Sequence, residues 1–373
     1  MSVPPRVVIA AGGTGGHFYP GLVLAQTLKQ RGWQPLLLVR AGDPALPRLE
    51  AEGIPAATLD LKGFPRRPGP GWASFPWKLA GAWRLAGRIL RDFEPRVVVG
   101  MGGYLTFPAV LAARLRGVPC AVHESNTVLG LANRASTALG AALWRGLPTA
   151  RADDISGLLT GTPVRPAFWT GTDAASARRE LGLDPGRPTV LVFGGSQGAR
   201  GLNESVPAAL GQAARSAPGQ LQVLHLAGSK STDAVSSAYA AAGSGLRVKV
   251  LPYLDAMEKG YGAADLVICR AGASTIAELA ALRMPAVLVP YPHATGRHQD
   301  ANARLLAEAG AARAVPEADL DSRLAAELSD LLTSVSARQR RQDMSNAYDR
   351  LQLPRAEQAV RNLADAVERL SRP

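Results

Sequence analysis

The chain has little cysteine, few aromatic residues and no long apolar run. Cys120 and Cys269 are the only 2 cysteines among 373 residues, and both lie in apolar stretches that read as buried strands. That excludes a disulfide framework or a zinc cluster. No run of 18 uncharged apolar residues occurs, and the first apolar stretch, residues 7–11, is too short for a signal-peptide core. The expectation is a soluble protein kept in the cytosol. Other absences narrow the chemistry. Gly13-x-Gly15 would need a third glycine at position 18, which is Phe18, and the second strand ends on Val39-Arg40 rather than an acid. This weakens a nicotinamide oxidoreductase, and the lack of a Gly-Lys-Ser/Thr after four spacer residues excludes a Walker nucleotidase. No Asp-x-Asp pair stands at a plausible strand end, so no metal site is expected. With no aromatic-basic ribonucleoprotein motif, zinc knuckle or helix-turn-helix signature, a nucleic-acid module is disfavoured.

What is present is globular in balance. Hydrophobic residues make up 47% and charged residues 19%, while 39 glycines and 28 prolines indicate many loops. The length predicts two domains. The formal charge of +12 is uneven: residues 1–165 carry 19 Lys+Arg against 9 Asp+Glu, and the remainder 23 against 21. A basic first half suits nucleic acid, an anionic membrane surface or a phosphorylated substrate.

Short Val/Leu/Ile runs alternate with longer Ala/Leu/Arg segments from end to end, the α/β pattern. Candidate strands fall at 6–11, 35–39, 96–100 and 119–123, then at 189–193, 221–227, 247–251, 265–269 and 286–289. Continuous apolar strands joined by helices imply parallel sheets covered on both faces. Residues 6–11 run into Gly12-Gly13-Thr14-Gly15-Gly16-His17, and residues 189–193 into Gly194-Gly195-Ser196-Gln197-Gly198-Ala199. Each half thus opens with a strand, a Gly-rich turn and a helix, where backbone N–H groups and the helix dipole favour a phosphate. Two doubly wound Rossmann-like domains facing across a cleft are expected, residues 1–163 and residues 164–345. Residues 346–373 supply a terminal helix that could pack back on the first domain.

The richest stretch is Ala264 through Glu278. Thr275-x-x-Glu278 fits a capping box, and Glu278 alternatively accepts hydrogen bonds from sugar hydroxyls. Beyond it, Gln299 and Asn302 fall on one helical face and could pair with a hydroxylated ligand.

Together, GGTGGH at 12–17, HESN at 123–126, GTPVR at 161–165, GGSQGA at 194–199, CRAGASTIAE at 269–278 and HQDANA at 298–303 resemble the MurG family. These are enzymes that transfer N-acetylglucosamine from UDP-N-acetylglucosamine to lipid I during peptidoglycan synthesis. The resemblance implies a GT-B fold, with residues 1–163 as the acceptor and membrane-facing domain and 164–345 as the UDP-sugar donor domain, and an inverting, metal-independent transfer without cofactor. It places that transfer at the cytoplasmic face of the cell membrane, with cell-wall synthesis and division proteins as possible partners. It implies donor contacts from Thr14, Gly15, Gly16 and Asn126, and from Arg165, Ser196, Leu254 and Gln299. The stretch Ala273, Ser274, Thr275, Ile276, Ala277 and Glu278 is implied as well. Ser125 stands where many relatives carry Gln, and Leu254 where Ile is usual. Two enzymes of similar architecture compete: a UDP-N-acetylglucosamine epimerase, and a lipid glycosyltransferase acting on diacylglycerol.

A base must deprotonate the acceptor hydroxyl. His17 follows the first Gly turn at a helix start, where the dipole disfavours imidazolium; binding the acceptor diphosphate is its other reading. His123 and Glu124 are the alternatives. With Ser74 as N-cap, Phe75, Leu79, Trp83, Ala86 and Leu90 form a core stripe, and Trp77, Arg84, Arg88 and Arg91 fall opposite. A tryptophan among arginines suits an interfacial anchor on anionic lipid, unless Trp77 packs under the next loop.

Overall fold

A computed structural model of the chain describes residues 3–12, 15–61, 70–149, 156–171, 173–195, 197–215, 219–243 and 245–372, with the side chains of residues 70–73 outside that description. The chain divides into two compact units, Met1–Arg165 with Leu353–Pro373, and Pro166–Gln352.

Among the described residues of the first unit, seven parallel strands are β1 (Arg6–Ala10), β2 (Gln34–Arg40), β3 (Ala56–Leu59), β4 (Val97–Gly100), β5 (Cys120–Glu124), β6 (Ala142–Arg145) and β7 (Leu158–Leu159), in the order β3-β2-β1-β4-β5-β6-β7. Alternate residues of β1 serve opposite faces. Val7 and Ile9 pack with Leu22, Ala25 and Leu28 of the helix Gly15–Gln30, whereas Val8 and Ala10 pack with Ala86 and Leu90 of the helix Pro70–Phe93. Burial on both faces is why these strands read as unbroken apolar runs. The terminal helix Ala356–Leu370 adds Leu363, Ala364 and Val367 to the first of those cores, and Arg31 Nη1 holds its Asp365 at 2.6 Å.

In the second unit β8 (Thr189–Phe193), β9 (Gln222–Leu226), β10 (Arg247–Leu251), β11 (Leu266–Cys269), β12 (Ala286–Leu288) and β13 (Ala312–Ala314) form a parallel sheet ordered β10-β9-β8-β11-β12-β13. Val190, Val192 and Ile268 pack against Leu202, Val206 and Leu210 of the helix Arg200–Ala214 and against Leu324, Leu328 and Leu331. Both sheets are doubly wound Rossmann sheets. In each, the strand order reverses beside the strand that feeds a Gly-rich turn, β1 next to β4 and β8 next to β11. Ligands of open parallel sheets bind at that reversal, off the carboxyl ends of the strands.

Two local readings need correction. The helix expected to begin after Ser74 begins at Pro70, so Ser74 is an interior helix residue rather than the N-cap. Thr275-x-x-Glu278 is not a capping box: the helix is Ala273–Leu282 with Gly272 as N-cap, which places Glu278 on its second turn. Cys120 and Cys269 are both buried strand residues, and burial raises both thiols.

Candidate active site

In the first unit, Gly15 and Gly16 open the helix Gly15–Gln30 and His17 is its third residue; Gly13 and Thr14 lie outside the described residues. The half-buried His17 ring is seated against the turn that follows β4. A Cβ on Gly102 would stand 2.9 Å from His17 Cδ2, and one on Gly103 3.1 Å from Nδ1, both at φ values (+95° and +76°) that side chains avoid. Bare backbone is what makes room for the imidazole.

The other two base candidates are buried and hydrogen-bonded within the first unit. His123 is fully buried; its Nε2 donates to the Gly161 carbonyl at 3.0 Å, and Ser125 Oγ lies 3.2 Å from Nδ1. That assigns the Nε2–H tautomer, with the Ser125 hydroxyl as donor. Burial also lowers the His123 pKa. Glu124 is 4% exposed and both its oxygens are engaged: Oε1 by Asn126 N (3.0 Å) and Nδ2 (2.9 Å), Oε2 by Gly130 N and Asn133 Nδ2, each at 2.9 Å. Glu124, expected as a base, here holds the turn that carries Asn126. The four N–H donors occupy its acceptor capacity and brace the loop ahead of the helix Leu131–Ala138. Asn126 is half-buried beside it. Arg165, expected with the donor half, is the last residue of the first unit, and its Cζ lies 4.9 Å from the centre of the Tyr19 ring.

In the second unit the Gly turn after β8 meets the end of β9 backbone to backbone. A Cβ on Gly198 would lie 2.1 Å from the Ala227 carbonyl oxygen, so only glycine fits. Ser196, at the centre of that turn, lies outside the described residues. Past β11, Ala273, Ser274, Thr275 and Ala277 are half-buried on the opening turns of their helix, while Ile276 is fully buried and its side chain belongs to the core. Glu278 is half-buried, and its Oε2 accepts the Tyr261 hydroxyl at 2.9 Å. Gln299 Oε1 accepts the Tyr291 N–H at 2.9 Å. Asn302, paired with Gln299 in the sequence reading, is instead fully buried and donates to the Ala271 carbonyl at 3.0 Å, which ties its helix to the end of β11. Leu254 is half-buried against Gly260.

Sequence reasoning missed Tyr261 and gave Arg270 no role. Arg270 is 8% exposed and donates to the Val289 (3.2 Å) and Pro290 (3.3 Å) carbonyls. It also pairs with Glu317 and sits 5.5 Å from the centre of the Tyr291 ring. It thereby anchors the segment whose Tyr291 N–H meets Gln299. A cation closing an apolar strand was its available signal; nothing in the sequence marks Tyr261.

What such edges can do is bind phosphate on backbone N–H groups and hydroxyls on Glu278 and Gln299. Comparison with known proteins identifies the family. Residues 7–140 match the glycosyltransferase family 28 N-terminal domain and residues 189–365 the glycosyltransferase family 28 C-terminal domain. The chain belongs to glycosyltransferase family 28. Two family 28 relatives are each named UDP-N-acetylglucosamine–N-acetylmuramyl-(pentapeptide) pyrophosphoryl-undecaprenol N-acetylglucosamine transferase. The one from Halorhodospira halophila is 42% identical over 370 residues, 97% of this chain and 98% of its own. The one from Elusimicrobium minutum is 37% identical over 369 residues, 98% and 99%. The crystal structure of Acinetobacter baumannii MurG matches with a TM-score of 0.78 at 31% identity, covering 98% of this chain and 100% of that one. The fold of this family 28 chain is accordingly GT-B.

Proposed function

We propose that the chain transfers N-acetylglucosamine from UDP-N-acetylglucosamine to the MurNAc 4-hydroxyl of undecaprenyl-diphospho-MurNAc-pentapeptide, lipid I, giving lipid II and UDP. The observation that carries this is the 42% identity, sustained over 97% of the chain, to a relative bearing that activity in its name.

The chemistry follows from the site residues. Breaking the anomeric C–O bond leaves negative charge on the diphosphate of UDP, which fixed N–H donors and a cation stabilise without reorganising. The Gly turn after β8 with Ser196, and Arg165, are assigned that task. Glu278 accepts ribose hydroxyls, and Gln299 with Ala273 to Ala277 borders the sugar nucleotide. Thr14, Gly15, Gly16, Asn126 and Leu254 remain further donor contacts. His17 takes the proton of the acceptor hydroxyl as that oxygen attacks the anomeric carbon, so the new bond forms as the old one breaks and configuration inverts. Fixed protein charge does the work of a metal in this reading.

The membrane side rests on the helix Pro70–Phe93. Trp77 is 78% exposed, which removes the reading that it packs under a loop, and Arg84, Arg88 and Arg91 are exposed too. Phe75, Leu79, Trp83, Ala86 and Leu90 pack inward. Among the described residues no helix is long and apolar enough to cross a membrane. An amphipathic tryptophan among arginines fits peripheral attachment to anionic lipid at the cytoplasmic face, where lipid I is presented.

Transfer assayed with a chelator, with the linkage of the product read by NMR, tests the finer points. Full turnover and a β-linkage from the α-configured donor are expected. Loss of turnover on chelation refutes metal independence, and an α-linkage refutes inversion.

A further inference from the structure

Asn203, His225 and Tyr239 are buried polar side chains in the core of the second unit, where Leu202, Val206, Val223 and Val235 are also buried. An unpaired amide, imidazole or hydroxyl in that setting costs more than an apolar side chain of similar size. The three are joined in a row instead. The Tyr239 hydroxyl donates to His225 Nδ1 at 3.0 Å, His225 Nε2 donates to Asn203 Oδ1 at 3.1 Å, and Asn203 Nδ2 donates to the Ala227 carbonyl at 2.8 Å. Each link fixes the polarity of the next. An imidazole with its proton on Nδ1 would meet the Asn203 oxygen with a lone pair, and an inverted Asn203 amide would set its oxygen against the Ala227 oxygen.

The row ends at the Gly turn that follows β8. Ala227 lies one residue past the last registered pairs of β9, Leu226 with Phe193 and Leu226 with Leu251. There the Asn203 amide takes the place of a ladder N–H. A Cβ on Gly198 would lie 2.1 Å from the Ala227 carbonyl oxygen, and one on Gly228 2.5 Å from the Gln197 carbonyl oxygen. Two backbones packed this closely pass a displacement from one to the other. We infer that Tyr239 and His225 are positioning residues for diphosphate binding, fixing through Asn203 the Ala227 carbonyl on which the turn at Gly198 rests. The inference rests on the reading of that turn as the site for the diphosphate of a nucleotide sugar. It adds two residues that touch no substrate.

Tyr239→Phe removes one oxygen and keeps the edge-on ring contact with His225 at 5.7 Å. Ligand-observed NMR titration of the full chain with UDP and with uridine separates diphosphate binding from nucleoside binding and needs no turnover. In Tyr239→Phe the Kd of UDP is expected to rise on the order of threefold, and in His225→Gln at least as much, while uridine binds as in the parent. The preference for UDP over uridine therefore shrinks. Side chains that serve stability alone would lower the melting temperature and leave that preference intact in both variants, which overturns the inference. Ser196→Asp, which sets a carboxylate in the turn itself, separates the two layers. If it erases the preference and the other two variants do not, only the positioning role falls. If none of the three alters the preference, the diphosphate reading of the turn falls and the positioning role with it.

Discussion

Acidification should destabilise the second unit through one residue. His225 on β9 is fully buried between Asn203 and Tyr239. Asn203 Nδ2 donates to the Ala227 carbonyl at 2.8 Å, which turns its Oδ1 toward the ring. His225 therefore donates from Nε2 to Asn203 Oδ1 (3.1 Å) and accepts the Tyr239 hydroxyl at Nδ1 (3.0 Å). Protonation would bury a charge and aim a second N–H at that hydroxyl. Desolvation accordingly lowers the His225 pKa from 6.5 to about 4. Between those values the unfolded chain binds a proton that the folded chain refuses, so stability rises with pH there. The contribution is intact above pH 6.5, is lost as pH falls through about 4, and is level below. At about 1.4 kcal/mol per tenfold change in proton affinity, about 3 kcal/mol disappears across the window. The assay is urea unfolding at pH 7, 6, 5 and 4 for the parent and for His225→Gln. The variant starts lower at pH 7, but its stability should fall by about 3 kcal/mol less on the way to pH 4; His123, also held neutral by burial, leaves a residual slope in both. Parallel profiles would refute the argument.

Three further outcomes are expected. His17→Ala should lower kcat by roughly 10²–10⁴ with little change in acceptor KM, whereas an unchanged kcat at saturating acceptor makes it a diphosphate ligand. Trp77→Ala combined with Arg84→Glu should weaken sedimentation with anionic vesicles, leave turnover of a soluble acceptor analogue intact, and shift stability by no more than about 1 kcal/mol, because both side chains are exposed. Glu124→Gln replaces one acceptor oxygen with a donor facing other donors, so unfolding free energy should drop by roughly 1–3 kcal/mol; full stability with abolished turnover would restore Glu124 as a candidate base.

The central strands were legible because burial on both faces writes them as unbroken Val/Leu/Ile runs. β3, β6, β7 and β13 were not. β3 has exposed Ala56, β6 ends on Arg145, β7 is two residues long and β13 carries Arg313 between two alanines. Sheet margins need only half a core, so their sequences carry half a signal. At the site, the two Gly turns were legible since close backbone approach leaves no substitute for glycine, as the 2.1 Å clearance at Gly198 shows. Glu278 was legible as a polar side chain past a strand, but its partner was not, because the bond to Tyr261 is made by packing two helices rather than by spacing along one. Asn302 misled for a related reason: a polar residue near a ligand edge reads alike whether it faces the ligand or braces the loop behind it.

Incubation of the purified chain with labelled UDP-N-acetylglucosamine, with and without a lipid I analogue, tests the central claim most directly, with the products resolved by mass. The account predicts UDP release that depends on the acceptor and one added N-acetylglucosamine on the lipid. Isomerisation of the sugar nucleotide without acceptor, or intact donor in the presence of a competent acceptor, would contradict it.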